Sequence, residues 1–209
     1  MLKLLLSFSG AYLFSISVLH LIPEIYTATN KTVGIYILLG FFLQIFLEFF
    51  SEGIEHGHVH IHHHHEKAFP ITVMISLSIH SFLEGMPLTQ KLVASSEIYN
   101  TFLTGILLHN IPISIALMTL LLGSKLSKQS AIIWLVVFAI MAPLGAITNQ
   151  FISIGIDTTA YMNNVMGVVI GIFLHISTTI LFESSENHRF NFLKFVIILL
   201  GASLALASF

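Results

Sequence analysis

The sequence predicts an all-α fold, a multi-pass bundle of transmembrane helices, and three observations support this. First, 56% of the 209 residues are hydrophobic and only 9% are charged, whereas a soluble domain carries about a quarter of charged residues. Second, the chain contains seven apolar stretches of about 20 residues, the length that an α-helix needs to cross a bilayer. Third, most segments between these stretches are short, so residues 1–209 are expected to form a single transmembrane domain.

The predicted helices follow one another with one long polar interruption, the loop at 52–67. Each apolar stretch is expected to span the bilayer as a helix, because lipid offers the backbone no hydrogen-bond partners. Turn-forming sequences separate some of them, such as TATNKT around Asn30 and GSKLSKQS after Gly123. The helices are predicted at about 4–25, 32–50, 69–91, 97–123, 129–152, 160–182 and 190–209.

Lysine and arginine are distributed unequally between the two ends of these helices, which predicts the orientation in the membrane. With alternating sides, six fall on one face and two on the other, and the richer face is cytoplasmic. The N-terminus and the loop at 52–67 are therefore expected in the cytoplasm, and the C-terminus outside. The six are Lys3, Lys67, Lys125, Lys128, Arg189 and Lys194, and the two are Lys31 and Lys91.

Composition also excludes several classes of function. Cysteine is absent, so disulfides and thiolate metal sites are excluded. The net charge of −2, without a basic cluster, gives no reason to expect a nucleic-acid partner. No Gly-rich stretch ends in Gly-Lys-Ser/Thr, the motif of an ATP-binding loop, and no resident cofactor is expected.

Ionisable residues inside the predicted helices are functional candidates, because such a side chain costs roughly 2.5–3.5 kcal/mol at the bilayer centre. His80 follows Phe69 by eleven residues, which at ~1.5 Å per residue places it about 16 Å deep, near the midplane. His109 enters from the opposite side and reaches a similar depth. Glu84 lies one turn after His80 on the same helix face. The three side chains are therefore expected to meet.

The ligand set of His80, Glu84 and His109 is suited to zinc, with other divalent transition metals as alternatives. Three protein ligands leave a coordination position open, as a transport site requires. Asn110 follows His109 and is a candidate to add an oxygen ligand or to orient a neighbouring one. The alternative is a hydrogen-bond network that joins two helices without metal, which leaves a charged Glu84 without a strong partner.

Prolines inside the predicted helices are expected to free backbone carbonyls at midplane depth. A proline cannot donate a hydrogen bond to the carbonyl four residues earlier. Interrupted backbone is tolerated where it lines protein or a watery cavity, as in transporters. Pro87 is expected to free the carbonyl of Leu83, Pro112 that of Leu108 and Pro143 that of Ala139.

Two further histidines are candidates for accessory metal ligands. A single histidine in a membrane helix more often bonds a neighbouring carbonyl than a metal, and this interpretation is preferred for His175. It also applies to His20, although the sequence HLIPE places Glu24 four residues later. Glu48 lies close to the cytoplasmic end of its helix and is expected to face headgroups or water.

The loop at 52–67 contains seven histidines within ten residues. Neutral imidazoles bind zinc, copper and nickel, so a cytoplasmic metal buffer or sensor is expected there. The alternative is a solvated loop with incidental affinity. The histidines are His56, His58, His60, His62, His63, His64 and His65.

The segment LSIHSFLEGMPL contains a His-Ser-x-x-Glu-Gly core, and with it nearly the whole chain resembles the ZIP (Zrt/Irt-like protein) family of divalent-metal transporters. Further similar segments, in chain order, are SFSGAYLFSISVLHLIPE, LLGFFLQIFLEFFSEG, GILLHNIPISIAL, FAIMAPLGAIT and GIFLHISTTILFES. The resemblance implies an eight-helix bundle, transport towards the cytoplasm, and metal held between the family's fourth and fifth helices. The implied site residues are His80, Ser81, Glu84, His109 and Asn110.

The chain departs from the family pattern in three places. It begins where the family's second helix begins, so seven helices are expected, without the first of the eight. Members that hold two adjacent metals carry an additional glutamate and another acid where this chain has Ile113 and Ala142. We therefore expect one metal ion.

The predicted function is import of zinc or a similar divalent metal, through a midplane site between the third and fourth helices of this chain. The alternative is a metal-sensing or metal-binding membrane protein without flux. An enzyme is not expected, because an intramembrane metalloprotease would carry His-Glu-x-x-His on one helix. The expected location is a bacterial cytoplasmic membrane. Gly167 and Gly171, spaced as G-x-x-x-G, are expected to pack helices within the bundle, with a homodimer contact as the alternative.

Overall fold

The computed structural model of the chain describes residues 1–26, 32–51, 53–54, 70–88, 96–124, 126–152, 154, 158–182 and 191–208. These residues form seven helices and no strand, which confirms the predicted all-α fold. The helices are α1 (Leu2–Ile25), α2 (Val33–Ser51), α3 (Ile71–Gly85), α4 (Ser96–Gly123), α5 (Lys128–Ile152), α6 (Thr158–Phe182) and α7 (Phe192–Leu206).

Six of the helices are long and apolar enough to cross a membrane, with α3 counted together with the turn Met86–Leu88 that continues it. The seventh, α7, has 15 residues and is shorter than predicted. Its first turn is capped by Asn191, whose side chain accepts a hydrogen bond from the backbone N–H of Lys194 at 3.1 Å. At ~1.5 Å per residue α7 covers about 22 Å, less than the ~30 Å of a hydrocarbon core.

Helix α1 changes its winding near its end. It is α-helical over Leu2–Ile16, has a wider π-helical turn at Ser17–Leu21, and returns to α-helix at Ile22–Ile25. Pro23, which cannot donate a backbone hydrogen bond, lies two residues after the wider turn. His20, one of the candidate accessory ligands, lies in this wider turn.

Helices α2 and α6 pack in parallel through glycine. A Cβ on Gly40 would lie 1.9 Å from the carbonyl oxygen of Val168, and one on Gly171 would lie 2.0 Å from that of Ile37. Gly167, one turn before Gly171, also faces α2. The G-x-x-x-G spacing thus packs two helices of the same chain, as preferred from the sequence.

Helices α3 and α5 make a second glycine-lined contact, also in parallel orientation, since Gly145 lies against Phe82 and Asn149 against Met86, four residues later on both helices. A Cβ on Gly85 would lie 2.0 Å from the carbonyl oxygen of Ala142, and one on Gly145 would lie 2.0 Å from that of Phe82. Gly85 directly follows Glu84, so this contact fixes the backbone beside a predicted metal ligand.

The end of α3 differs from the prediction. The backbone N–H of Met86 donates to the carbonyl of Leu83 and forms a tighter turn, so the expectation that Pro87 frees this carbonyl is wrong. A bond between residues three apart replaces the missing one. The carbonyl of Met86 accepts instead from the side-chain amide of Asn149 at 2.8 Å.

Buried apolar side chains form two clusters, and α4 contributes to both. The first cluster joins α1, α6 and α7, and α4 adds Phe102 and Ile106 to it. The second cluster joins α3 and α5, and α4 adds Ile113 and Leu117. His109 therefore lies on α4 between the segments that serve the two clusters.

Candidate metal centre

The structure brings together the three side chains that the sequence predicts as ligands. One ligand atom each of His80 and Glu84 on α3 and His109 on α4 lie within 4.8 Å of one another. The Nε2 atom of His80 is 2.9 Å from Oε1 of Glu84. The rings of His80 and His109 are 6.0 Å apart between centroids and meet at 76°. All three residues are 0% exposed.

Local sequence explains this arrangement. His80 and Glu84 are four residues apart, so they project from the same face of α3. Gly85 lets α5 approach the backbone of α3 at this level. The three side chains thus project from packed helices, which hold them more rigidly than loops would.

Glu84 is a buried acid that the described residues compensate poorly. Both of its carboxylate oxygens are buried, and neither has a hydrogen-bond partner of suitable geometry among the described residues. Its contact with His80 is an ion pair only when that ring is protonated. A buried carboxylate without donors is costly, and a bound cation is one of the few groups that can compensate it.

The separations are compatible with a small metal ion. Zinc binds histidine nitrogen and carboxylate oxygen at about 2.0–2.2 Å, so tetrahedral ligand atoms lie about 3.4 Å apart. The atoms here start at 2.9 Å and stay within 4.8 Å, so small side-chain rotations suffice to reach that value.

Asn110 and Ser81 are the other two predicted ligands. The Oδ1 atom of Asn110 is buried and has no hydrogen-bond partner in the described part of the chain, as an oxygen reserved for a ligand would be. Ser81 is 2% exposed on α3. The ligand roles of both stay predictions.

Apolar side chains occupy the two positions where an acid would support a second metal. Ile113 is fully buried within the second apolar cluster. Ala142 packs its backbone against Gly85. The expectation of a single metal ion stays a prediction.

A comparison with protein-family models decides the family. The model described as ZIP zinc transporter matches residues 55–208, which is more than half of the chain. The chain belongs to the ZIP zinc transporter family. No curated protein sequence matches it. The matched segment of this ZIP protein contains α3 and α4 with His80, Glu84 and His109, whereas α1 and α2 precede it.

Gln44 on α2, which was not predicted from the sequence, contacts the candidate centre of this ZIP protein directly. Its side-chain Oε1 accepts a hydrogen bond from Nδ1 of His80 at 3.1 Å, and it is 0% exposed. The available signal was a single amide in the middle of the apolar stretch LLGFFLQIFLEFF. Amide side chains inside membrane helices commonly bond across to a neighbouring helix.

His175 and Glu48 have a different environment from the one predicted. The Nε2 atom of His175 on α6 is bonded to Oε2 of Glu48 on α2 at 2.5 Å. The ring of Phe41 meets the imidazole edge-on, 5.0 Å away between centroids. Glu48 therefore bonds a histidine inside the bundle, rather than facing only headgroups or water, and His175 has a carboxylate partner instead of the expected carbonyl.

The remaining accessory candidates gain no metal environment from the described residues. His20 lies with its Nε2 3.3 Å from the carbonyl oxygen of Ala205 on α7, whereas Glu24 is exposed. The seven histidines of the loop at 52–67 lie outside the described residues.

Proposed function

We propose that this ZIP family member carries zinc, or a similar divalent transition metal, through a site formed by His80, Glu84 and His109 between α3 and α4. The family match supports a role in divalent metal transport. The observation that carries the site assignment is the buried Glu84 carboxylate, which lies beside two buried imidazoles and lacks hydrogen-bond donors among the described residues. A dication neutralises the acid and accepts both nitrogens.

Three protein ligands suit a site that must also release its ion. They replace part of the hydration shell and leave a coordination position for water or for the Asn110 oxygen. Binding has to be firm enough to select the metal and weak enough to let it leave. Because metal and proton compete for the same ligand atoms, protonation of the ligands assists release.

The proposed direction is import, as the ZIP resemblance implies. The excess of lysine and arginine places the loop at 52–67 on the cytoplasmic side in this proposal. Its imidazoles would then receive the metal after it leaves the central site.

The test measures zinc uptake into proteoliposomes and bound zinc on the same preparation. The double variant His80→Ala with Glu84→Ala is expected to lose both, because two of the three ligands are gone. The matched control is Glu48→Ala with His175→Ala, which removes the same two residue types from another helix interface. It is expected to keep both uptake and bound zinc.

Wild-type uptake by the central double variant would refute the proposal. Stoichiometric zinc binding by the wild type without any uptake would favour the alternative, a metal-sensing or metal-binding membrane protein.

A further inference from the structure

We propose that Gln44 is a positioning residue of the zinc site, which fixes the imidazole of His80 so that its Nε2 faces the ion. This inference rests on the proposed function. Gln44 belongs to α2, which supplies none of the three central ligands and precedes the segment matched by the family model. It would act through His80 rather than by touching the metal.

The hydrogen bond determines which ring nitrogen of His80 is available. The carbonyl oxygen of an amide can only accept, so the 3.1 Å bond to Gln44 Oε1 places a proton on Nδ1 of His80. A neutral imidazole with its proton on Nδ1 keeps its lone pair on Nε2. Nε2 is the atom that lies 2.9 Å from Oε1 of Glu84. The bond therefore directs the metal-binding lone pair towards the acid ligand.

The backbone on both sides of this bond is held in place. One turn before Gln44, Gly40 packs against the backbone of α6. One turn before His80, the hydroxyl of Ser76 donates to the carbonyl of Leu47 at 2.6 Å. The two hydrogen bonds fix an antiparallel register between α2 and α3. The Gln44 amide is thus held where it can orient the ring, as partners of metal-bound histidines do.

A packing role makes the opposite prediction from a positioning role. If Gln44 only filled space, leucine would replace it well and glutamate, a buried charge, would be harmful. If Gln44 positions His80, glutamate keeps the acceptor for Nδ1–H, whereas leucine loses it. The order of the two variants in zinc affinity therefore separates the roles.

The experiment uses the full chain purified in detergent, with zinc affinity measured by competition with a chelator. Zinc K-edge X-ray absorption counts the imidazole ligands. Gln44→Leu is expected to bind zinc about 10–100-fold more weakly, the usual cost of losing such a partner, with one imidazole fewer. Gln44→Glu is expected to keep both imidazoles and bind at least as tightly as the wild type. Ser76→Ala removes the neighbouring α2–α3 bond, which supports Gln44 only indirectly, and is expected to weaken zinc binding less than Gln44→Leu does.

Two results would overturn the inference: wild-type affinity with two imidazoles in Gln44→Leu, or an equal loss in Gln44→Glu. Gel filtration checks folding, and Gln44→Met, which is also apolar but closer in length, replaces Gln44→Leu if that variant does not fold. Failure of the proposed function looks different. In that case the wild type itself binds no zinc, or His80→Ala with Glu84→Ala binds it equally well.

Discussion

Two histidine–glutamate pairs lie in the membrane-spanning helices, and they differ in what surrounds them. His80 and Glu84 lie on one helix, are 0% exposed, and are joined by the ring of His109. His175 and Glu48 connect α6 to α2, and their side chains are 11% and 26% exposed. The first pair forms, with His109, a group that could hold a metal ion, and the second is an interhelical hydrogen bond.

The comparison shows that residue type alone does not identify a metal site in a membrane protein. Both pairs cost free energy to bury, but Glu48 bonds a histidine and keeps partial access to its surroundings. Glu84 is fully buried and lacks hydrogen-bond donors among the described residues. A buried acid that the protein leaves uncompensated, together with a third ligand, is the better indication of a cation site.

The largest expected effect is on zinc affinity, and it distinguishes Glu84 from Glu48. Glu84→Gln keeps the shape of the side chain and removes its charge, so zinc affinity is expected to fall at least about 100-fold, since removing one partner of a buried charge interaction costs about 3–5 kcal/mol. Glu48→Gln is expected to change zinc affinity little. Chelator competition on both purified variants measures the difference.

An equal loss of zinc affinity in the two variants would contradict this distinction, because Glu48 would then contribute to the same site as Glu84. Gel filtration of each variant without zinc controls for misfolding.

The next effect concerns the glycines that support each pair. Gly85→Ala and Gly171→Ala each place a Cβ 2.0 Å from a backbone oxygen, so each is expected to lose about 3 kcal/mol of stability by overpacking. For a chain of this size that lowers Tm by about 6–12 °C. Gly85→Ala is also expected to weaken zinc binding, by about 10-fold, because Gly85 adjoins Glu84, whereas Gly171→Ala reaches the site only through α2 and Gln44 and is expected to weaken it less. Thermal denaturation and chelator competition check the two parts.

Gly34→Ala is the matched control. A Cβ there meets nothing within 4 Å, and alanine favours a helix by about 1 kcal/mol over glycine. Its Tm is expected to stay level or rise. Zinc binding weakened as much in Gly171→Ala as in Gly85→Ala would contradict the separation of the two regions.

The sequence was sufficient for the helices and for the central triad. Long apolar stretches mark the helices, and helix spacing with depth places His80, Glu84 and His109 together. The bonds made by Gln44 and Glu48 could not be derived in the same way. α2 is apolar around most of its circumference, so the pattern does not show which face turns towards α3 and which towards α6. The carbonyl of Leu83 was mispredicted because a tighter turn took over its hydrogen bond.

The smallest expected effect concerns the stability of the zinc-free protein, which Glu84→Gln and Glu48→Gln are expected to change in opposite directions. Glu84→Gln removes a buried charge that lacks donors among the described residues, so the zinc-free protein is expected to gain about 1 kcal/mol. Glu48→Gln weakens a short bond to His175, and a loss of about 1 kcal/mol is expected. Melting temperatures with a chelator present should move about 2–4 °C in opposite directions. Equal shifts of the same sign would mean that both acids are compensated alike by the protein, and the case for a cation at Glu84 would lose its physical basis.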